Sequence, residues 1–463
     1  MRADSRAITN LIDSVPALTA IRDSLTDTSF ERKVFLVGGA VRDAVMGRPP
    51  SSDLDFVHEG DVGELVEFLY RSLKLTKTPA IFERFGTAML TIRDVQCEFV
   101  NARKESYHPD SRKPDVRQGT LRDDALRRDF TVNALMADLW SSEVVDVLET
   151  SLSDLDSKIL RTPLDPGVTI SDDPLRMLRA VRFKHKLGFE LDRQVIQAIK
   201  DHSGRMEIVS PERIQLELDM ILLGPNRSVA MQDLMDLGLL DVLIPEFRDL
   251  VGVEQGHFHH KDVWGHTLEV LDYAPLGDLE LAWACLLHDI AKPKTKTIEP
   301  DGRIRFFGHE SVGAEMAGTI LRRLRYSNDQ IQTVKRLVRN HMRVSRIEDL
   351  KKPGLRRILR DMDGVLEPFL ELLDADSKAH HPDMPKQDIA RLRAKLNSVK
   401  KETPVETLKS PLSGFEIISE FDLQPGERIK AIKAHLEQLV IDGELNSDDK
   451  PGAILAARKF LNR

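Results

Sequence analysis

Cysteine is nearly absent: Cys97 and Cys285 are the only two among 463 residues, far apart and each inside an apolar run. That argues against a disulfide framework and fits two buried thiols in a reducing cytoplasm. Long hydrophobic runs are missing as well. No segment approaches the ~18 uninterrupted apolar residues of a membrane span, and no basic cluster with an apolar run of signal-peptide length opens the chain. The expectation is a cytoplasmic protein, neither exported nor membrane-spanning. Positive charge is not in excess either, because the formal net charge is -8. Diffuse attraction to nucleic acid is therefore disfavoured, and any RNA contact must come from local basic stripes. Aromatics reach only 5%, against 31% charged and 41% hydrophobic residues, the balance of a folded, mostly helical chain.

The length suggests two to four domains. Residues 1–30 carry a weak amphipathic helical pattern, Ile8, Leu11, Ile12, Leu18 and Ile21, broken by Pro16. From Val34 the texture changes. "VFLV", "LDFV", "TAMLTI" and "CEFVNA" predict four strands, with a helix at "DVGELVEFLYRSL" between the second and third. The segment Arg103 to Arg122 is polar and basic and is expected to be strandless, either a mobile loop over a site or a long surface loop. This α+β domain ends near residue 150. Beyond "LRTPLDPG" the strand signals almost vanish and helical periodicity continues to the end.

Asp53 and Asp55 alternate with Leu54 and Phe56, so a strand there sends both carboxylates to one face and the two apolar side chains into the core. Like charges so close repel unless a cation lies between them, and a hard ion such as Mg²⁺ suits oxygen ligands. Alone, the pair is as readily a solvated strand edge. Gly38 and Gly39 follow a strand and lead into a helix near Arg42, an arrangement that lets backbone amides approach a phosphate beside a fixed cation. Glu98, on another predicted strand, is a candidate third metal ligand or an exposed strand residue. "RRDFTVNALM" predicts a helix burying Phe130, Ala134 and Leu135. Around it stand Arg127, Arg128 to meet a triphosphate, Asp129 to accept from a ribose hydroxyl, and Asn133. In "DDPLRMLRAVRF", Arg176, Arg179 and Arg182 form a stripe opposite Leu175, Leu178 and Phe183, with Asp173 and Pro174 in the first turn. Asp173 and Arg176 are spaced for a surface ion pair. The other two arginines have no evident partner, which suggests that an anion is expected there.

The motifs "GGAVRD...DLD", "RRDFTVNA", "DDPLRMLRAVRF" and "PERIQLEL", in this order across about residues 33–225, closely resemble the class II tRNA nucleotidyltransferase and bacterial poly(A) polymerase family. The resemblance implies an N-terminal head of the DNA polymerase β superfamily (31–150) after a helical segment (1–30). An all-α neck (151–225), body (226–382) and tail (383–463) would follow. It implies two Mg²⁺ ions at Asp53 and Asp55, nucleotide contacts from Gly39, Arg42, Arg128 and Asp129, and a protein template for the base in Asp173 and Arg176. The family's leading Glu of that template is Asp172 here. A carboxylate acceptor and a guanidinium donor in fixed order suit cytosine and adenine, each with an exocyclic amine beside an unprotonated ring nitrogen. Uracil and guanine would set like polarities face to face, at about 1 to 3 kcal/mol per unpaired group.

The implied activity is CCA addition to tRNA 3′ ends from CTP and ATP, with the tRNA acceptor/T arm as partner and no membrane. Alternatives are poly(A) polymerase or CC- or A-only addition. The short tail, without a long basic extension, favours CCA addition over poly(A). The 14 histidines concentrate in "HHKDVWGHTLEVL", "ACLLHDIAKP", "GHESVG", "VRNHM" and "DADSKAHH", a part that resembles the HD superfamily of metal phosphohydrolases. By that likeness His266, His288, Asp289 and a distal acid, Asp374 or Asp376, would hold a second divalent metal, and His309 and His341 could join a further position. The remaining alternatives are an HD-like body used as an RNA scaffold, and an HD phosphohydrolase with the head as its RNA-binding module. The stretch "LRRLRYSNDQIQTVKRLVRNHMR" and the neck arginines are candidates for RNA contact.

Overall fold

A computed structural model describes residues 5–49, 53–83, 86–108, 111–255, 261–344, 347–381 and 383–462. The chain divides into two compact units, residues 1–225 with 233–243, and residues 226–232 with 244–463.

The first unit opens with two helices, α1 (Ser5–Ser14) and α2 (Pro16–Leu25), divided at Pro16. Ile8, Leu11, Ile12, Leu18 and Ile21 are buried, as their period requires, against the helices α3 (Gly39–Val45) and α4 (Val62–Ser72). The sheet is formed by β1 (Val34–Val37), β2 (Asp53–His58), β3 (Ala80–Phe82), β4 (Thr87–Ile92), β5 (Val95–Asn101), β8 (Met136–Asp138) and β9 (Val144–Val145). Its order is β3-β4-β5-β2-β1-β8-β9. β2 and β5 run parallel and the other described pairings are antiparallel. Leu54 and Phe56 are fully buried, and the Phe56 ring stacks on Phe99, its register partner, with centroids 4.7 Å apart.

Three expectations are corrected. The segment expected to be strandless forms an antiparallel hairpin, β6 (Arg103–His108) with β7 (Ser111–Gln118). Backbone pairing alone builds such a ladder, so hydrophobic alternation could not announce it. Pro109, Asp110 and the side chains of 104–117 lie outside the described residues, so the choice between a loop over a site and a surface loop does too. The helix expected at "RRDFTVNALM" is a single 3₁₀ turn, Thr131–Asn133, running into β8. Phe130, Ala134 and Leu135 are buried as expected, but the Leu135 carbonyl accepts from Gly38 N–H at 3.0 Å, which draws the chain into the sheet. After residue 150 the fold is not purely helical. Ile159–Leu160 pairs in parallel with Glu190–Leu191, and Lys296–Ile298 pairs with Ile304–Phe306, each too short for a periodic signal.

After α5 (Leu121–Leu126) and α6 (Ser151–Ser157) come α7 (Pro166–Asp172), α8 (Arg176–Leu187), α9 (Arg193–His202) and α10 (Pro211–Leu222). α8 buries Met177, Leu178, Val181 and Phe183 and stops at Gly188 in a left-handed C-cap. In the second unit the helices Val263–Tyr273, Leu279–Leu287, His309–Arg323, Asn328–Asn340 and Leu366–Ala379 surround a core containing Trp283, Leu286, Leu321, Leu337 and Phe369. Leu412, Ile417, Ile432, Leu436, Ala453 and Ala457 form a separate cluster. Each unit holds one free, buried cysteine, Cys97 or Cys285, and burial pushes both thiols up to about 12. Among the described residues no helix is long and apolar enough to cross a membrane.

The turn after β1 hinges on Gly38, whose φ of 82° and ψ of -135° lie in a region that L side chains rarely adopt. Gly38→Ala is expected to cost about 1 to 3 kcal/mol in urea unfolding. Gly39→Ala, at a helical position where a Cβ would sit an ordinary 3.6 Å from Arg42 Nη2, should instead be neutral or stabilise by up to about 1 kcal/mol, the helix-propensity difference.

Candidate active site

Strand β2 presents Asp53 and Asp55 on its exposed face, so the alternation read from the sequence holds. Asp55 is flanked in register by Val37, the residue before the glycine turn, and by Glu98 on β5. A Cβ placed on Gly38 would lie 3.6 Å from Asp55 Oδ2 and 3.5 Å from Arg128 Nη1, so the turn brings a bare backbone between a carboxylate and a guanidinium. Local crowding out of water raises the Asp55 carboxyl above its ordinary value, Arg128 opposes this and Asp53 adds to it. Burial, then Asp55, raises Glu98 likewise. The fold therefore gathers acidic groups whose mutual repulsion a cation would relieve, and the carboxylate oxygens fit a hard divalent ion. Glu98 neighbours the pair, but Asp53, Asp55 and Glu98 are not among the described groups of three ligands whose donor atoms lie within 4.8 Å of one another.

Arg128 is fixed by Asp124, which accepts from its Nε and Nη2 at 3.1 and 3.0 Å and also binds Arg127. Asp124 is fully buried and was not singled out in the sequence, although its place four residues before Arg128 on one helical face was legible. Arg42 departs from expectation. Its side chain is 2% exposed, with Nε donating to Asp43 Oδ1 at 2.8 Å and Nη1 to Asn133 Oδ1, deeper than a residue at an open turn. Asp129 is also buried. Its Oδ1 accepts from Phe130 N–H at 2.8 Å and Asn133 Nδ2 at 2.9 Å, and its Oδ2 accepts from Arg179 Nε at 2.8 Å and Nη2 at 2.6 Å. With all four acceptor positions taken, Asp129 as placed anchors an arginine and presents no spare acceptor to a ribose. Burial would raise its pKa, but Arg179 and Asn133 hold it down to about 2.

The arginine stripe is not short of partners. Glu217 of α10, 3% exposed, accepts from Arg182 Nε at 2.6 Å and from Arg179 Nη1 at 3.4 Å. The Arg182 guanidinium also lies 4.3 Å from the Phe183 ring centroid. The anion inferred from like-charge repulsion is thus supplied within the protein, by a residue 35 positions downstream of Arg182. Asp173 sits before α8, not in its first turn, as the extended C-cap of α7 with φ -140°. Its ion partner is Arg213, Nη2 to Oδ2 at 2.7 Å and Nη1 to Oδ1 at 3.2 Å, not Arg176. Arg176 donates to the carbonyls of Thr169, at 3.0 Å, and of Arg127. This last bond joins the start of α8 to the residue preceding Arg128.

In the second unit six expected residues converge. His266 Nε2 is 3.1 Å from Asp376 Oδ1, and His288 Nε2 is 3.1 Å from Asp289 Oδ2 without a well-formed hydrogen bond. His309 and His341 Nε2 lie 3.3 and 3.8 Å from Asp289 Oδ1. The sets His266, His288, Asp289 and Asp289, His309, His341 each bring their donor atoms within 4.8 Å of one another. Asp376 is the distal acid. Asp374, the alternative, pairs with Lys378 at 2.7 Å on the outside, because the helix turns it away. The Nδ1 atoms of His288, His309 and His341 each face a backbone carbonyl, of Cys285, Phe306 and Val338, at 2.6 to 2.7 Å, leaving Nε2 toward the centre. Burial and His288 push His341 down to about 3, keeping its imidazole neutral, the form that binds a metal. Lys292, unpredicted, sits 2.6 Å from Asp289 Oδ2. His259 and His260 lie outside the described residues.

A sheet-borne carboxylate pair beside a glycine turn, followed by a helical unit with an HD-type cluster, defines a nucleotidyltransferase of two-part architecture. Family models match at residues 34–161 (Poly A polymerase head domain), 188–250 (Probable RNA and SrmB- binding site of polymerase A) and 263–375 (HD domain). The chain is 32% identical to the A-adding tRNA nucleotidyltransferase of Deinococcus radiodurans over 445 residues, 92% of this chain and 94% of that protein. It is 32% identical over 442 residues to the CC-adding tRNA nucleotidyltransferase of Thermus thermophilus, 93% of each. The crystal structure of the Bacillus stearothermophilus CCA-adding enzyme in complex with CTP superposes with a TM-score of 0.67, at 21% identity, covering 97% of this chain and 99% of that one. The chain belongs to the family of tRNA nucleotidyltransferases and bacterial poly(A) polymerases.

Removing Glu217 strands Arg182 and weakens the hold on Arg179. Glu217→Ala is expected to lower unfolding free energy by about 3 kcal/mol in urea titration. Asp129 lies below its ordinary value, so its contribution is complete above the unfolded value of about 3.9 and is lost as pH falls through about 2. The stability advantage of wild type over Asp129→Asn should accordingly be constant from neutral pH to about pH 5 and shrink below about pH 4, read by thermal melts across pH.

Proposed function

We propose that this protein adds CCA to tRNA 3′ ends in the cytoplasm, using CTP and ATP and releasing pyrophosphate. The observation that carries it is a run of neighbouring groups in the first unit. Arg176 of the template pair bonds the backbone at Arg127, Arg128 faces the Gly38 turn, and the turn abuts Asp55. These are the groups to which the reading gives base, phosphate and metal. A head, neck, body and tail with bounds near 150, 225 and 382 would carry these functions.

Asp53 and Asp55 would hold two Mg²⁺ ions, whose chemistry is to lower the pKa of the attacking RNA 3′ hydroxyl and to offset charge on the departing pyrophosphate. Arg128, oriented by Asp124, offers its cation to the triphosphate, and the Gly38 and Gly39 backbone lets phosphate oxygens approach. The hydroxyl attacks the α-phosphate in line and the bond to pyrophosphate breaks, with no covalent protein intermediate. Asp173 accepts from the exocyclic amine of cytosine or adenine while Arg176 donates to the ring nitrogen. The acceptor/T arm of tRNA would lie on the basic stretches of the neck and body. Two relatives at equal identity, one A-adding and one CC-adding, keep partial addition as a second reading. The buried histidine and aspartate cluster of the second unit would hold a further divalent metal.

Incubation with tRNA ending at the discriminator base, or already bearing CC, with CTP and ATP separately and together, tests the first reading. Growth stopping after CCA on the first substrate supports full addition. Growth only to CC, or only from CC to CCA, establishes the partial enzyme, and long A-tails overturn both. Asp55→Asn should abolish extension with little change in melting temperature. Metal analysis of purified protein should find His288→Ala depleted of a divalent ion that wild type retains, and equal contents would reject the second metal site.

A further inference from the structure

The geometry points to Arg213 as a positioning residue that sets base specificity by holding Asp173 in one orientation. The inference rests on Asp173 and Arg176 reading the base, and adds what makes that reading selective. A carboxylate rejects uracil only if it cannot turn away from the opposing carbonyl, because a side chain free to rotate would escape the penalty. The backbone does little to restrain Asp173. It lies between two helices in extended conformation, with its own restraint limited to Leu175 N–H on Oδ1 at 3.3 Å. Arg213 supplies the rest, with two nearly parallel bonds to the two carboxylate oxygens, the fork geometry that fixes the carboxylate plane and leaves lone pairs for a base amine.

The origin of that fork is itself rigid. Arg213 stands in the first turn of α10, after the Ser210 N-cap and Pro211. One helical turn later on the same face, Glu217 binds Arg179 and Arg182 of α8, and Ile214, Leu218 and Ile221 are buried beneath. α10 thus grips the template helix at Glu217 and the residue ahead of that helix at Arg213, so the spacing between Asp173 and Arg176 is set by a second helix. The Arg213 side chain is 42% exposed, so its loss leaves no cavity and no buried charge.

The test is the set of kcat/KM values for single-nucleotide addition of CTP, UTP, ATP and GTP to tRNA by wild type, Arg213→Ala, Arg213→Lys and Asp173→Ala, with melting temperatures. Arg213→Ala should lose roughly tenfold in the CTP:UTP and ATP:GTP ratios, a readout that looser folding alone would not move. Arg213→Lys, which restores charge and one bond, should recover part of the ratio. Ratios unchanged from wild type in both Arg213 variants overturn the inference, even if CTP addition itself slows. A wild type without base preference, or one whose ratios survive Asp173→Ala, overturns it by removing the template reading beneath it.

Discussion

The buried contact between Asp129 and Arg179 is the constraint on which the first unit is assembled. A buried carboxylate such as Asp129 is tolerable only if fully bonded, and its arginine, itself one-third exposed, supplies two of those bonds. That requirement spreads outward. Asp129 uses its second oxygen on Asn133, Asn133 accepts from Arg42, Arg179 shares Glu217 with Arg182, and each link closes another buried charge. The chain of bonds starts in the helix after the glycine turn, crosses the 3₁₀ turn before β8 and ends in α10. A single electrostatic lattice therefore ties α3 and the turn before β8 to α8 and α10.

The lattice also explains a division of labour among like residues. Arg42, Arg179 and Arg182 pair with internal anions, and those pairs hold elements at fixed separation. Arg128 and Arg176 are tied by their edges to Asp124 and to backbone carbonyls, which position a guanidinium without neutralising it in the second case. The cluster of the second unit obeys the opposite rule. There Asp289 is approached by His288, His309, His341 and Lys292 together, and the imidazoles are turned by backbone carbonyls so that their lone pairs meet. Structural anchoring alternates charges of opposite sign, and the histidine cluster turns several metal-ligating atoms toward one another.

Much of this was legible in the residues. The alternation of Asp53, Leu54, Asp55 and Phe56 displayed the strand and its two faces, since period two is a local property. The burial of Leu175, Leu178 and Phe183 followed in the same way from period 3.6. What escaped was set by distant partners. The arginine stripe looked unbalanced because Glu217 lies on another helix, and Asp173 was assigned to its near neighbour because Arg213 is 40 residues away. The burial of Arg42 and Asp129 was not legible, because sequence shows charge type but not depth. The segment 127–136 was taken for a helix because its course is set by the Gly38 amide bonded to the Leu135 carbonyl and by β1, not by its own period. Asp374 and Asp376 differ only in the helical angle at which they leave one helix, which spacing to a histidine over a hundred residues away could not decide.

The two thiols give the molecule a property unrelated to its chemistry. Each unit carries one, Cys97 opposite Leu54 in the strand register and Cys285 among the helices of the histidine cluster, both fully buried and held protonated. A reagent that attacks only thiolates is blind to the folded protein, because the thiolate is the nucleophile. Modification of Cys97 therefore dates the opening of the sheet, and modification of Cys285 dates the opening of the bundle. The chain is born with a separate clock in each half, and the order in which they strike tells whether the halves unfold together or in turn.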